Sequence, residues 1–124
     1  MSDSVFSKII RREIPATVRF EDDDFIVIND LYPKAPVHVL IIPKEPYATL
    51  EEVDFDNDLF YAKLLKTARR VAKDLGIADN YKLFMNVGRQ VQDVHHVHLH
   101  LMGGYVSGKG HFDFNESATR TPDS

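Results

Sequence analysis

The stretch His95–Gly104, which reads HHVHLHLMGG, decides the fold of this chain and the placement of its chemistry. Its histidines His96, His98 and His100 alternate with apolar residues, and successive side chains of a β-strand point to opposite faces. The pattern predicts a strand over 96–102 with three imidazoles on one face and an apolar core face on the other. Two glycines end the run, so the backbone can turn away there.

Three imidazoles on one strand face are open to three interpretations. They can be interior histidines held by hydrogen bonds, although each ring then needs partners for two nitrogens. His96 and His98 can present imidazoles to one metal ion, but the chain has no Cys to complete a zinc site. The third interpretation is covalent catalysis, in which His98 is the nucleophile and its neighbours bind and protonate an anion.

Length and composition are typical of one small globular domain. The chain has 124 residues, 44% of them hydrophobic and 27% charged. A net charge of −4 argues against a general nucleic-acid binder, which would carry a basic stripe. Without a Cys or an apolar run of membrane-spanning length, we expect no membrane partner and a cytoplasmic location. The expected domain covers 1–114, followed by a mobile tail over 115–124.

Three separate blocks of the chain resemble the histidine-triad (HIT) family, and in particular its Hint branch. Phe6–Ala16 is similar to the opening of that branch, and Ala35–Lys44 is similar to its central strand. His96–Met102 matches the family signature His-x-His-x-His followed by two apolar residues. The blocks occur in the family's order and together cover nearly the whole chain except its C-terminal tail.

The resemblance implies a nucleotide hydrolase for purine nucleoside phosphoramidates or related AMP derivatives, acting through a covalent nucleotidyl-histidine. His98 is then the nucleophile. His100 contacts the phosphate and helps to protonate the leaving group, while His96 and His38 position the nucleophile's ring. The mechanism needs no metal or other cofactor, because imidazolium and backbone amides can supply the charge stabilisation.

The resemblance also implies which residues hold the nucleotide. Asp30 would bind the ribose hydroxyls, a task for which a carboxylate that accepts two O–H groups is suited. The other implied contacts are apolar residues around the base and amides at the phosphate: Phe6, Ile9, Ile28 and Leu31 for the base, and Asn86 and Gln92 for the phosphate.

Asp93 departs from the family, which carries Ser or Thr at this position of the loop before the triad. A carboxylate beside a phosphate repels it. Asp93 therefore points away, binds a cationic part of the substrate, lowers phosphate affinity, or pairs with an imidazole. It favours an alternative function, a nucleotide-binding sensor or partner protein with weak turnover. A nearer alternative is a dinucleoside polyphosphate hydrolase of the Fhit type.

The apolar periodicity predicts an α+β fold with a mostly antiparallel sheet and both helices on one face. The resemblance implies five strands and a homodimer that joins two sheets into one. The expected elements are a short first helix capped by Asp3 or Ser4, a long helix over 56–75, and strands over 17–21, 25–29, 38–43, 80–86 and 96–102, with a further short strand possible over 111–114.

Overall fold

A computed structural model describes residues 3–105, which form an antiparallel sheet with one helix on each face. The predicted end of the domain at residue 114, the possible strand over 111–114 and the tail over 115–124 lie outside the described residues. No helix in the described part of the chain is long and apolar enough to cross a membrane.

The described elements follow the predicted order with small changes at their ends. The chain runs through helix α1, the hairpin β1–β2, strand β3, a short 3-10 turn, the long helix α2, and strands β4 and β5. Their bounds are Val5–Ile10 for α1, Val18–Glu21 for β1, Phe25–Asn29 for β2, Val37–Pro43 for β3, Leu50–Glu52 for the 3-10 turn, Asp58–Asp74 for α2, Tyr81–Phe84 for β4 and Leu99–Gly103 for β5.

The sheet has five strands in the order β1-β2-β3-β5-β4, and every neighbouring pair is antiparallel. Strands β2, β3 and β5 are therefore central, which agrees with their largely apolar sequences. The α+β fold with a five-stranded antiparallel sheet and one long and one short helix is confirmed. In β5, His100 lies opposite Leu40 of β3 and Phe84 of β4.

The prediction that both helices lie on one face of the sheet is wrong. One core cluster joins α2 to one face, with Ala68 and Val71 against Val39 and Leu101. Side chains that alternate with these in sequence point to the other face and meet α1. That second cluster contains Phe6, Ile9, Ile26, Ile28, Leu40 and Ile42. Strands that are apolar throughout can bury both faces, and the alternation alone does not say which helix covers which face.

The prediction of a strand that begins at His96 is also wrong, because β5 begins only at Leu99. The backbone N–H of His96 donates to the carbonyl of Val94 at 2.9 Å, and the N–H of Val97 donates to Tyr47 at 2.9 Å. These bonds replace ladder pairing over the first part of the stretch. Contacts outside the strand, rather than strand alternation, therefore place the rings of His96 and His98.

Candidate active site

His96 is fully buried, and both of its ring nitrogens have partners. Its Nε2 lies 2.8 Å from the carbonyl oxygen of Pro43. A carbonyl only accepts, so Nε2 carries the proton and Nδ1 is the acceptor in the neutral ring. Ser4 Oγ lies 3.0 Å from Nδ1, and Ser7 Oγ lies 3.4 Å from it. Burial lowers the pKa of His96, against the effect of the Pro43 carbonyl, so the neutral form is favoured.

The ring of His98 is oriented by the backbone of His96. Its Nδ1 donates to the His96 carbonyl oxygen at 2.8 Å, so the neutral ring carries its proton on Nδ1. The Nε2 lone pair is then available to attack an electrophile. Asp93 Oδ1 lies 3.8 Å from this Nε2, and the side chain of Asp93 is 87% exposed. The edge of the Phe6 ring packs against His98, with ring centroids 5.0 Å apart.

His38 and His100 form a hydrogen-bonded pair, the His38–His100 relay. Here too a backbone group decides which ring nitrogens carry protons. The N–H of Lys34 donates to His38 Nδ1 at 3.0 Å, so the His38 proton lies on Nε2. That Nε2 is 3.0 Å from His100 Nδ1 and 3.3 Å from Asp30 Oδ2. His100 Nδ1 is therefore an acceptor, and the His100 proton lies on Nε2, where it can be donated to a ligand.

Burial and neighbouring imidazoles keep the relay neutral in the free protein. Burial, with the nearby rings of His98 and His38, lowers the pKa of His100 to about 4, while Asp30 and Asp93 oppose the shift. Burial likewise lowers the pKa of His38, against the opposing carboxylate of Asp30. Neutral rings are what the relay geometry requires, because each acceptor nitrogen must be free of a proton.

Phe84 contacts the triad, and the sequence did not predict this contact. Its ring stacks on the ring of His100 with a centroid distance of 4.4 Å and an interplanar angle of 4°. The contact follows from the pairing of Phe84 with His100 across β4 and β5. The stack and the bond from His38 together fix the plane of the His100 ring.

A pocket of about 190 Å³ opens beside the triad, between α1 and the end of β2. His98 and His100 line one part of it, together with Asp93. The remaining part is mostly apolar and includes the predicted base contacts Phe6, Ile9, Ile28 and Leu31, the predicted ribose ligand Asp30, and the unpredicted residues Val5, Ile14, Pro15, Ala16, Asn29, Tyr32, Leu40 and Val94. A mostly apolar lining together with the polar groups of His98, His100, Asp30 and Asp93 suits a nucleoside joined to a phosphate.

Two residues predicted to bind the phosphate, Asn86 and Gln92, lie outside the pocket beside the triad. Gln92 is buried, and its amide is used within the loop: Oε1 accepts from the N–H of Gly88 at 2.8 Å, and Nε2 donates to the carbonyls of Ala48 and Val94. The side chain of Gln92 therefore fixes the course of the loop before the triad. Asn86 is exposed.

Among the described residues, Asp30, His38 and His100 bring three metal-ligating atoms within 4.8 Å of one another. Their hydrogen bonds do not suit a metal ion. Nδ1 of His38 accepts from a backbone N–H, so its Nε2 must keep the proton that a metal would displace. The metal interpretation built on His96 and His98 meets a similar obstacle, since both nitrogens of His96 are already bonded.

Comparison with known proteins gives a consistent result. The family model described as "HIT domain" matches residues 11–107. A purine nucleoside phosphoramidase from Escherichia coli is 40% identical over 108 residues, which is 86% of this chain and 91% of that protein. An uncharacterized HIT-like protein from Synechocystis sp. is 48% identical over 82% of this chain and 90% of its own length.

Solved structures agree with the sequence relatives. A HIT family hydrolase from Clostridium thermocellum has a TM-score of 0.79 and 46% identity, covering 87% of this chain and 96% of that one. The match to the family model, the phosphoramidase relative and the shared fold lead to the same conclusion: this chain is a hydrolase that belongs to the HIT domain family.

Proposed function

We propose that this protein hydrolyses purine nucleoside phosphoramidates or related AMP derivatives through a nucleotidyl-His98 intermediate. The observation that carries the proposal is the bond from His98 Nδ1 to the His96 carbonyl at 2.8 Å. It leaves the Nε2 lone pair beside a pocket that combines a mostly apolar lining with a few polar groups. The E. coli relative named purine nucleoside phosphoramidase supports this substrate class.

The reaction has two steps. His98 Nε2 attacks the α-phosphorus, and the bond from phosphorus to the leaving nitrogen breaks with its electron pair remaining on nitrogen. The negative charge of the bound phosphate favours the charged form of His100, which takes up a proton from solvent. The Nε2–H of this imidazolium contacts the phosphate and passes its proton to the leaving nitrogen, which leaves the ring neutral. Water then attacks phosphorus, the bond to His98 breaks, and a proton from water restores His100. The products are an amine and a nucleoside monophosphate.

The remaining parts of the site bind the nucleotide. The purine would lie among Phe6, Ile9, Ile28 and Leu31, and the ribose hydroxyls would bind Asp30. One oxygen of Asp30 already accepts from the N–H of Tyr32 at 2.9 Å, which holds the carboxylate at the mouth of the pocket. Asn86 and the amides of the loop that Gln92 shapes would approach the phosphate. We also propose a homodimer with one continuous sheet, because β1 and β4 are edge strands of the described sheet.

Rapid-quench intact-mass spectrometry tests the nucleophile. Wild-type protein mixed with an adenosine phosphoramidate and quenched without acid is expected to gain the mass of one adenylyl group. His98→Ala is expected to show no adduct and no AMP release, while it still binds AMP. Turnover that persists in His98→Ala would exclude His98 as the nucleophile, whereas AMP binding without turnover in the wild type would exclude hydrolysis of this substrate.

A second candidate function is a nucleotide sensor or partner protein with weak turnover, and the position of Asp93 favours it. The carboxylate lies 3.8 Å from His98 Nε2, on the approach that a phosphate must take. Slow turnover with tight AMP binding would support this function. Faster cleavage of a dinucleoside polyphosphate than of the phosphoramidate would instead support the Fhit-type alternative.

A further inference from the structure

Ser4 makes two different hydrogen bonds through one hydroxyl group. As the N-cap of α1, its Oγ accepts from the backbone N–H of Ser7 at 3.0 Å. The same Oγ lies 3.0 Å from Nδ1 of His96. Because His96 carries its proton on Nε2, a hydroxyl must donate to Nδ1. Ser4 Oγ is the nearer donor at 3.0 Å, while Ser7 Oγ lies 3.4 Å from Nδ1 and 3.4 Å from Ser4 Oγ. Ser4 thus closes the start of α1 and holds a buried triad histidine at the same time.

His96 transmits this contact to the nucleophile. Its ring is held between Ser4 on α1 and the carbonyl of Pro43 at the end of β3. Its own carbonyl accepts the Nδ1 proton of His98, which selects the tautomer that can attack. The backbone of His96 lies outside the β5 ladder, so this carbonyl is held by the backbone bonds of His96 and Val97 to Val94 and Tyr47, together with the ring contacts of His96.

We propose that Ser4 is a positioning residue that acts through His96 to fix the tautomer and orientation of His98. The proposal rests on the function proposed above. It also connects substrate binding with chemistry, because α1 carries Phe6 and Ile9 into the pocket. The ring of Phe6 contacts both His96 and His98 edge-on, at centroid distances of 5.9 and 5.0 Å. A base that packs against α1 therefore packs against the helix whose cap holds His96.

Substitutions at Ser4 can separate its role as a cap from its role as a donor. Glycine is tolerated at an N-cap at a cost of only a few tenths of a kcal/mol, and it has no hydroxyl to donate. Ser4→Gly is expected to lower kcat about tenfold and leave KM within about twofold, since it removes the nearer donor to Nδ1 and leaves only Ser7 Oγ, 3.4 Å away. Ser4→Thr keeps both bonds and should retain wild-type kcat. Ser4→Asp keeps the cap acceptor but places a carboxylate against Nδ1, which favours a proton on that nitrogen. It should therefore fail to restore wild-type kcat.

Asn57→Gly is the matched control. Asn57 caps α2 by accepting from the N–H of Phe60 at 3.1 Å and does not line the pocket beside the triad. This variant is expected to retain wild-type kcat, which would show that loss of a cap alone does not slow the reaction. Equal losses of kcat in Asn57→Gly and Ser4→Gly, or wild-type kcat in Ser4→Gly, would overturn the proposal.

Nitrogen-15 NMR of the imidazoles provides a readout that does not depend on turnover. In the wild type, His96 is expected to carry its proton on Nε2 and His98 on Nδ1. Ser4→Gly should shift the His96 Nδ1 resonance and increase the Nε2–H tautomer of His98, and Ser4→Thr should restore both. Unchanged His98 resonances in Ser4→Gly would overturn the proposal even if the protein has no phosphoramidase activity.

Discussion

At the residue scale, main-chain groups decide which ring nitrogens of the site carry protons. Each of His38, His96 and His98 has one nitrogen whose role is set by a backbone N–H or carbonyl. The sequence, with its family resemblance, indicated which histidines would meet. It could not indicate the tautomer of His96, because the groups that bond to its ring lie far away in the sequence: Pro43 is separated from His96 by 53 positions and Ser4 by 92.

Asp93 allows a prediction at this scale. Asp93→Ser removes a negative charge 3.8 Å from His98 Nε2 and is expected to tighten AMP binding. The carboxylate is 87% exposed and well solvated, so we expect a gain of about threefold to fivefold at low ionic strength, falling as salt is added. Isothermal titration calorimetry at two salt concentrations measures it.

Asp79→Ser serves as the control for this measurement, because Asp79 is exposed and lies outside the pocket beside the triad. It removes the same charge from the protein without changing the site, and its affinity for AMP should match that of the wild type. An unchanged affinity in Asp93→Ser would mean that the carboxylate points away from the phosphate.

At the scale of elements, strands were predicted best where local sequence alone determines them. The predicted strand over 25–29 has the observed bounds, because its apolar run lies between polar turn residues. The start of β5 was predicted wrongly, since His96 and Val97 bond to Val94 and Tyr47 rather than to a neighbouring strand. The contact of Phe84 with His100 required the pairing of β4 with β5, which the sequence does not state.

The end of β5 allows a prediction at the element scale. A Cβ at position 103 would lie 2.7 Å from Cδ1 of Ile77 and 3.2 Å from the carbonyl oxygen of Asn80. Gly103→Ala is therefore expected to lower the free energy of unfolding by about 1–3 kcal/mol through overpacking. Urea unfolding measures the loss. Ile77→Val removes Cδ1 and should recover part of it in the double variant; if the two losses simply add, this contact is not their cause.

At the scale of the whole molecule, the buried histidines make stability depend on pH. Burial lowers the pKa of His96 and His38 below their ordinary values, and that of His100 to about 4. The unfolded chain, with histidine pKa values near 6.5, then binds more protons than the folded protein as the pH falls below that value. Stability should therefore be fully present above about pH 6.5 and decline as the pH falls toward 4.

Urea unfolding across this pH range measures the decline. His100→Gln removes the group whose pKa is lowered to about 4, and should make the free energy of unfolding depend less steeply on pH between about pH 6.5 and 4. His95→Gln is the matched control, because His95 is exposed and does not line the pocket. A profile of His100→Gln as steep as that of the wild type would contradict burial of the imidazole as the cause.

Because main-chain groups decide which ring nitrogens carry protons, the side chains at those positions can vary without changing this arrangement. The N–H of Lys34 and the carbonyls of Pro43 and His96 are present whatever side chains those positions carry, except that a proline at 34 would remove the donor. Side chains around the site can therefore change while the directions in which the rings give and take protons stay the same. The lining of the pocket thus depends on side chains, whereas the acid–base direction of the rings depends on the main chain.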